Sequence, residues 1–292
     1  MIHLIEALLY QKLDEEKVRC YVCHHHCVIK SGQRGICGVR ENREGVLFAL
    51  NYGKTIAMQI DPIEKKPIYH FLPGTWSYSL ATVGCNFHCL WCQNNEISQI
   101  DESNKQIRGK NITPETHVNM AIKNNCQSIS YTYSEPTIFL EYALDIMKLA
   151  KKSGLKNIWV SNGYMSSETL DLILPLVDAM NVDFKCFDDS LHKKFCGGSV
   201  KPILENLKRI NSSSVHLEIT TLLVTDFNDN IDEVSKIASF IADLNPKIPW
   251  HITRFYPAWK MLDKKPTNIN ILKKSREIGK NMGIESIHIG NV

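Results

Sequence analysis

The stretch WSYSLATVGCNFHCLWCQNN, residues 76–95, joins an apolar run to a loop with cysteines at positions 85, 89 and 92. The first eight residues are rich in aromatic and β-branched side chains, which predicts a buried strand. The loop offers three thiols and no fourth cysteine, whereas a structural metal site usually closes its coordination shell with four protein ligands. The stretch therefore predicts a strand that leads into a metal-binding loop with one ligand position open.

Downstream of Trp76, apolar strand-like runs alternate with amphipathic helix-like runs. The strand candidates are SISYTYS, NIWVSN, DAMNVDF, VHLEITTLL, WHITRFY and SIHIGN, and the helix candidates include TPETHVNMAIKNN, PTIFLEYALDIMKLAKKSG and NIDEVSKIASFIADL. This alternation predicts an α/β fold with a parallel sheet whose strand ends carry the chemistry. Because six or seven units are fewer than the eight of a full barrel, we predict a partial (β/α)6-type TIM barrel over residues 75–292.

Residues 1–74 predict a small cysteine-rich lobe that precedes the barrel. Its elements are a helix, a metal-binding loop CYVCHHHCVIKSGQRGIC at residues 20–37, and a β-hairpin GVLFALNYGKTIAMQI at residues 45–60. We place its end where Pro73 and Gly74 interrupt the pattern. The helix prediction rests on apolar residues at helical spacing, which are Ile5, Leu8, Leu9 and Leu13.

Composition excludes several classes of protein. The chain has 292 residues, 43% hydrophobic and 22% charged, with a net charge of +3, which gives no reason to expect nucleic acid as a partner. No run of 18 apolar residues exists and Glu6 interrupts the amino-terminal apolar segment, so neither a membrane span nor a secretory signal is predicted. We therefore expect a cytoplasmic protein, in which clustered cysteines indicate metal binding rather than disulfides.

Two occupants of the residue 85–92 loop agree with its spacing. Zinc would take three thiolates and a nearby histidine, for which His88 is available. A four-iron cluster held by three thiolates would leave one iron able to bind a small molecule.

The segment CNFHCLWC resembles the CxxxCxxC signature of the radical S-adenosylmethionine (SAM) superfamily, including Trp91 before the last cysteine. The resemblance implies that Cys85, Cys89 and Cys92 hold a [4Fe-4S] cluster and that SAM chelates the open iron. An electron-donor protein would reduce the cluster, and cleavage of SAM would yield a 5'-deoxyadenosyl radical. The cofactor then performs the difficult chemistry while the protein orients it and excludes water.

Two later strand ends agree with that resemblance. YTYSEPT is similar to the superfamily's GGEP segment, which contacts the methionyl ammonium of SAM, and this assigns Ser134 and Glu135 to the cofactor. Tyr133 and Ser134 replace both glycines. The alternative is that Ser134 and Glu135 only begin the next helix. In VSNGYM, Asn162 fits either a turn or a polar contact to the ligand.

VDFKCF ends the fourth strand with Asp183 and Lys185 on one face. The pair resembles the DxK pattern of pyruvate formate-lyase activating enzymes, which touches the ribose and carboxylate of SAM. A structural ion pair is the alternative. Five residues of the later strands could line a substrate cavity or lie in the core, namely His216, Glu218, Thr220, His251 and Arg254.

Four cysteines of the amino-terminal loop suffice for a closed site, either zinc or a second iron–sulfur cluster. They are Cys20, Cys23, Cys27 and Cys37. Since four thiolates leave no position open, this site would be structural or would relay electrons.

The whole pattern, from GICGVR through IDPIEKKPIYHFLPGT to PWHITRFYP, is similar to the radical enzyme of the AmmeMemoRadiSam system, which resembles pyruvate formate-lyase activating enzymes. Members of that group usually continue past a segment like IHIGNV into another cysteine pair, whereas the printed sequence ends at Val292. The resemblance implies a substrate that is either a protein, as for an activase, or a small molecule. The alternative from a different class is a non-catalytic metal-binding scaffold in a multi-protein system.

Overall fold

The computed structural model describes residues 4–100 and 106–292. Within them the strands are β1 (Ile5–Glu6), β2 (Tyr10–Lys12), β3 (Val18–Cys20), β4 (Val28–Ile29), β5 (Arg40–Arg43), β6 (Val46–Ala49), β7 (Lys54–Pro62), β8 (Trp76–Thr82), β9 (Lys110–Asn111), β10 (Ser128–Tyr131), β11 (Lys156–Ser161), β12 (Ala179–Asp183), β13 (His216–Leu223), β14 (Trp250–Arg254) and β15 (Ile287–Gly290). The helices are α1 (Asn95–Ser98), α2 (Pro114–Lys123), α3 (Leu140–Lys152), α4 (Ser167–Ile173), α5 (Asp189–Cys196), α6 (Lys201–Asn211), α7 (Ile231–Leu244) and α8 (Ile269–Asn281).

One large sheet organises the molecule, with strand order β15-β14-β13-β12-β11-β10-β8-β7-β9. Among the described residues, seven strands pair in parallel, namely β8 and β10 through β15. At one edge of the sheet, β7 pairs antiparallel with β8 and with β9. Each of the seven strand segments expected after residue 75 is present, which confirms the α/β class. Because parallel strands end at the same edge, the loops that follow β8, β10, β11 and β12 meet there.

Helices cover one face of this sheet, and the helix-start predictions hold. Thr113 caps α2 by accepting a hydrogen bond from the Thr116 amide, with Pro114 as the first helical residue. Asn230 caps α7 in the same way. In the ranges that the structure describes, no pairing joins β15 to β9, so the sheet is open rather than a closed barrel, and no helix is long and apolar enough to cross a bilayer.

The predicted amino-terminal helix is wrong. Its residues form β1 and β2, which pair antiparallel with β6 and β3, and Leu9 adopts a φ of 53° that no α-helix contains. Leu4 and Leu8, at 42% and 43% exposed, do not form a buried stripe. The apolar spacing fitted a helix, but pairing with distant strands satisfies the backbone instead, and tertiary contacts override local pattern.

The predicted hairpin at residues 45–60 is also wrong, although both of its strands exist. After β6 the chain turns at residues 50–53 and enters a different sheet, because β6 pairs with β5 and β1 whereas β7 pairs with β8. The large sheet therefore includes a strand that precedes residue 74. The division of the chain at that residue stays a prediction.

The segment between β7 and β8 crosses the sheet face that the helices leave free. Asn157 in β11 donates to the Met147 carbonyl of α3, so its neighbour Ile158 points to the opposite face. There Ile158 and Ala179 pack against Ile63 and Ile68 of the crossing segment. Further along, the buried Glu218 carboxylate accepts hydrogen bonds from the amides of residues 69 and 70, at 2.9 and 2.7 Å. Residues 63–75, called the floor segment below, therefore cover the face of the sheet that the helices leave free.

A buried polar cluster joins α2 to the outer strands and α3. The imidazole of His117 is fully buried, with Nδ1 2.9 Å from the Tyr78 hydroxyl and Nε2 2.7 Å from the Tyr142 hydroxyl. Burial lowers the pKa of His117 to about 4 and raises the pKa of Tyr78 to about 12. The cluster is therefore uncharged near neutral pH.

Acidification should destabilise the protein through His117. The unfolded chain takes up this proton at an ordinary pKa of about 6.5, whereas the folded state takes it up only near pH 4. The contribution of His117 to the free energy of unfolding is fully present above about pH 6.5 and is lost as the pH falls towards 4. Its size is on the order of 3 kcal/mol. Urea denaturation of metal-free protein should therefore show a steeper decline with acidification for wild type than for His117→Gln. Equal slopes would contradict the assignment.

Candidate active site

The cysteine loop begins directly after β8, at the edge where the parallel strands end. Gly84 opens it with a φ of 100°, and a Cβ atom there would lie 2.8 Å from the Cys37 carbonyl and from a Val39 methyl group. Only glycine avoids that overlap. The close approach brings the residue 85–92 loop against the amino-terminal cysteine loop, and Cys37 and Cys85 line one cavity of about 550 Å³.

The three thiols of the loop have different surroundings. Burial raises the pKa of Cys85 well above its ordinary value and raises that of Cys92, whose sulfur lies 3.2 Å from the Ser98 hydroxyl. The pKa of Cys89 is lowered, chiefly by a hydrogen bond from the Cys196 thiol and also by the charge of Lys185. A buried thiol ionises readily only when a nearby cation stabilises the thiolate, so this loop has the chemistry of a metal site.

His88, the histidine available to a zinc site, makes a hydrogen bond to Gln99. Its Nδ1 lies 2.6 Å from Gln99 Oε1 on the exposed side of the loop. No group of three or more His, Cys, Asp or Glu side chains in residues 4–100 and 106–292 is arranged to hold a single metal ion. A cluster requires less convergence than one ion, because each cysteine binds a different iron.

The ring of Trp91 packs against aromatic residues next to the cysteine loop. Its ring is 4% exposed and lies 4.6 Å from the ring of Phe227 and 6.5 Å from that of Phe195. The Leu90 amide also donates to the Phe195 carbonyl, at the end of α5. Trp91 therefore belongs to the aromatic core that holds the loop, and its predicted contact with a cofactor stays a prediction.

Glu135 ties the ends of two strands together. The carboxylate is buried and accepts from Thr137 N (3.1 Å), Thr137 Oγ1 (2.5 Å), Ser161 Oγ (2.8 Å) and Asn162 N (2.9 Å). Since a carboxylate has about four lone-pair sites, little of its capacity remains for a ligand. Ser134 acts similarly, because its hydroxyl donates to the Thr82 carbonyl at the end of β8.

Tyr133 occupies a glycine position of the GGEP pattern, and it adopts a φ of 64°. A bulky residue in this region is strained. Its hydroxyl donates to Asp61 Oδ2 at 2.5 Å, and Lys66 Nζ lies 2.7 Å from the same oxygen. The Tyr133 carbonyl accepts from the Asn94 side chain at 2.8 Å. The buried Asp61–Lys66 pair thus holds a strained strand end against the cysteine loop.

Removing this hydroxyl should cost stability. Tyr133→Phe loses a hydrogen bond to a charged carboxylate and keeps the strained backbone, so we expect unfolding to become easier by about 1.5–3 kcal/mol. The measurement is urea denaturation of the metal-free protein. Tyr69→Phe is the matched control, because within the described ranges its hydroxyl makes no hydrogen bond. Equal effects of the two substitutions would contradict the anchoring role of Asp61.

Asn162 connects the end of β11 to the cysteine loop. Its Nδ2 donates to Asn86 Oδ1 at 2.7 Å, and its Oδ1 accepts from the Tyr164 amide at 3.0 Å. The bond to the Tyr164 amide is the one expected of a turn, and the predicted contact of Asn162 with a ligand stays a prediction.

Asp183 and Lys185 form an ion pair of 2.9 Å beside Cys89. Burial alone would lower the pKa of Lys185, but the charges of Asp183 and Cys89 outweigh it and raise the pKa. Asp183 keeps 42% of its side chain exposed. Its partner in the strand register is Thr220, whose buried hydroxyl has no hydrogen-bond partner among the described residues. A polar ligand would satisfy both groups.

Other residues considered for the substrate cavity lie elsewhere. Glu218 bonds to His216 Nε2 at 2.9 Å and His251 Nε2 at 2.5 Å as well as to the floor segment, and these bonds lower the pKa of Glu218 to about 2 despite its burial. Arg254 donates to the Thr267 carbonyl. These side chains are occupied by the fold itself.

The four amino-terminal cysteines line one narrow pocket together with His25, His26, Arg40 and apolar side chains. Burial raises the pKa of three of them, to about 11 for Cys37. Arg40 is itself buried and makes a bidentate ion pair with Glu141 of α3, at 2.9 and 2.7 Å. No sequence pattern pointed to this pair, whose partners are 101 residues apart.

The sequence profile of the radical SAM superfamily matches residues 79–241, more than half of the chain. The chain belongs to the radical SAM superfamily. An uncharacterized protein of Methanocaldococcus jannaschii is 45% identical over 98% of this chain and 85% of its own length. The pyruvate formate-lyase-activating enzyme of Clostridium pasteurianum is 22% identical over 66% of this chain and 83% of its own length.

Solved structures agree on the fold of this radical SAM enzyme. A crystal structure of a domain of a pyruvate-formate lyase-activating enzyme from Bacteroides vulgatus aligns with a TM-score of 0.50, at 20% identity, over 56% of this chain and 99% of that domain. The matched profile begins within β8 and ends within α7, so it includes the cysteine loop and the strand ends around it. The family implies a [4Fe-4S] cluster and SAM.

Proposed function

We propose that Cys85, Cys89 and Cys92 hold a [4Fe-4S] cluster, and that SAM bound at its open iron starts hydrogen abstraction from a substrate, either a protein or a small molecule. When bound, the cluster would supply one-electron reduction of SAM, the chemistry from which a 5'-deoxyadenosyl radical arises. The observation that carries the proposal is the loop of three cysteines at the end of β8, facing the Asp183–Lys185 pair. An activating role follows the similarity to pyruvate formate-lyase-activating enzyme.

Residues at the strand ends would bind and orient SAM. The Tyr133 carbonyl, which accepts from Asn94, has a second lone pair for the methionyl ammonium, and Glu135 fixes the adjoining turn through its four hydrogen bonds. Asp183 and Lys185 suit the ribose hydroxyls and the carboxylate. Asn162 orders the loop through Asn86.

The amino-terminal cysteines would hold a second iron–sulfur cluster or zinc. Support comes from four thiols on one pocket and from buried Arg40, whose charge offsets that of thiolates. Iron, zinc and acid-labile sulfide contents of reconstituted protein distinguish the two occupants. All ten cysteines are free, which suits a reducing compartment such as the cytoplasm. An electron-donor protein is part of the proposal because the cluster would act in its reduced form.

The decisive experiment is anaerobic. Protein reconstituted with iron and sulfide is reduced, SAM is added, and 5'-deoxyadenosine is measured. Product formation, together with a SAM-induced change in the EPR spectrum of the reduced cluster, supports the proposal. Loaded wild-type protein with neither response would favour a non-catalytic metal-binding scaffold.

A further inference from the structure

A histidine of the amino-terminal cysteine loop contacts the backbone of the residue 85–92 loop. His25 Nε2 lies 2.7 Å from the Asn86 carbonyl oxygen. A carbonyl oxygen only accepts hydrogen bonds, so Nε2 carries the hydrogen and His25 is the donor. The ring is half-buried, and its centroid lies 4.9 Å from that of Tyr164 and 6.4 Å from that of Phe87.

The peptide group that accepts the hydrogen bond from His25 also donates a hydrogen bond through its N–H. The Asn86 carbonyl and the Phe87 amide are two ends of the same peptide, and the Phe87 N–H donates to Cys85 Sγ at 3.3 Å. Hydrogen bonds in series polarise one another. A donor on the carbonyl therefore strengthens the N–H bond to the sulfur.

Asn86 is also held through its side chain. Asn86 is fully buried, and its side chain accepts from Asn162. On the histidine side, the His24 amide donates to the Tyr164 carbonyl, and Cys23 forms a β-bridge with Met165. His25 is thus held between two cysteines of its own loop and presented to the peptide next to Cys85.

We propose that His25 is a positioning residue for the cluster, acting through the 86–87 peptide on the sulfur of Cys85. The inference rests on the proposed function, because it assigns Cys85 to the cluster. Reduction adds negative charge to a cluster, and an N–H···S bond stabilises that charge, so this bond raises the reduction potential. It also makes the amino-terminal loop a support for the active site, since Cys23 and Cys27 flank His25.

The test compares His25→Leu, which removes the donor, with His25→Gln, which keeps an N–H donor at similar reach. His24→Leu is the matched control, because within the described ranges its ring makes no hydrogen bond. Redox titration followed by EPR should give a more negative potential for the cluster of His25→Leu and a smaller shift for His25→Gln. In cluster-free protein, the Phe87 amide of His25→Leu should exchange about fivefold faster, the factor for one lost hydrogen bond.

Two results would overturn the inference. One is an unchanged potential together with unchanged exchange at Phe87 in His25→Leu. The other is an equal response of His24→Leu, which would mean general loosening of the loop. If wild-type protein binds no cluster, the proposed function fails, and amide exchange in the cluster-free protein still decides whether His25 holds the peptide.

Discussion

Replacing Cys89 by alanine should abolish 5'-deoxyadenosine formation by the reconstituted, reduced protein. Cys89 is the middle cysteine of the loop, and the nearby charge of Lys185 favours its thiolate form. With two cysteines left, the cluster loses a ligand and the position for SAM is no longer defined. We expect product below detection and no SAM-induced change in the EPR spectrum.

The control is Cys126→Ala, a buried cysteine next to the amino end of β10 and away from the strand ends that carry the loop. It should keep wild-type product. Cys196 lies beside Cys89, so the double variant Cys89→Ala, Cys196→Ala tests the same expectation with both neighbouring thiols removed. Product retained in the double variant would falsify the assignment of the loop to the cluster.

Replacing Glu141 by leucine should produce the largest loss of stability. The substitution leaves the guanidinium of Arg40 buried without its bidentate partner, and it removes the acceptor of the Leu8 amide. Breaking a buried ion pair from one side costs about 3–5 kcal/mol. Urea denaturation of metal-free, reduced protein should show this decrease in the free energy of unfolding.

Replacing both partners should be far milder. In the double variant Arg40→Met, Glu141→Leu no charge is left buried, so much of the lost stability should return. Asp171→Leu removes an exposed ion pair with Arg209 and should change stability much less. If Glu141→Leu lowered the free energy of unfolding no more than Asp171→Leu does, the buried ion pair would not stabilise the protein as expected.

Local sequence was sufficient for the parallel strands and the cysteine loop. WSYSLATV and NIWVSN carry enough β-branched and aromatic residues to be recognised alone, and the CxxxCxxC spacing marks the loop whatever its surroundings. The helix predicted from Ile5 to Leu13 failed because the same apolar spacing also suits two short strands paired with distant segments.

The site details depended on contacts that sequence does not express. Nothing local in YTYSEPT indicates that Tyr133 takes a positive φ and is anchored by Asp61, 72 residues away. Glu135 was expected to face a ligand, yet four donors from the next strand end and the adjacent turn surround it. The His25–Asn86 bond joins two motifs that were considered separately.

The floor segment affects how the chain can be divided experimentally. A fragment that starts at Trp76 would keep every parallel strand but would lose Ile63 and Ile68, which cover Ile158 and Ala179. It would also leave the buried carboxylate of Glu218 without its two backbone donors. Expression of the radical SAM region alone should therefore begin before β7, so that the fragment retains the part of its interior that the linker supplies.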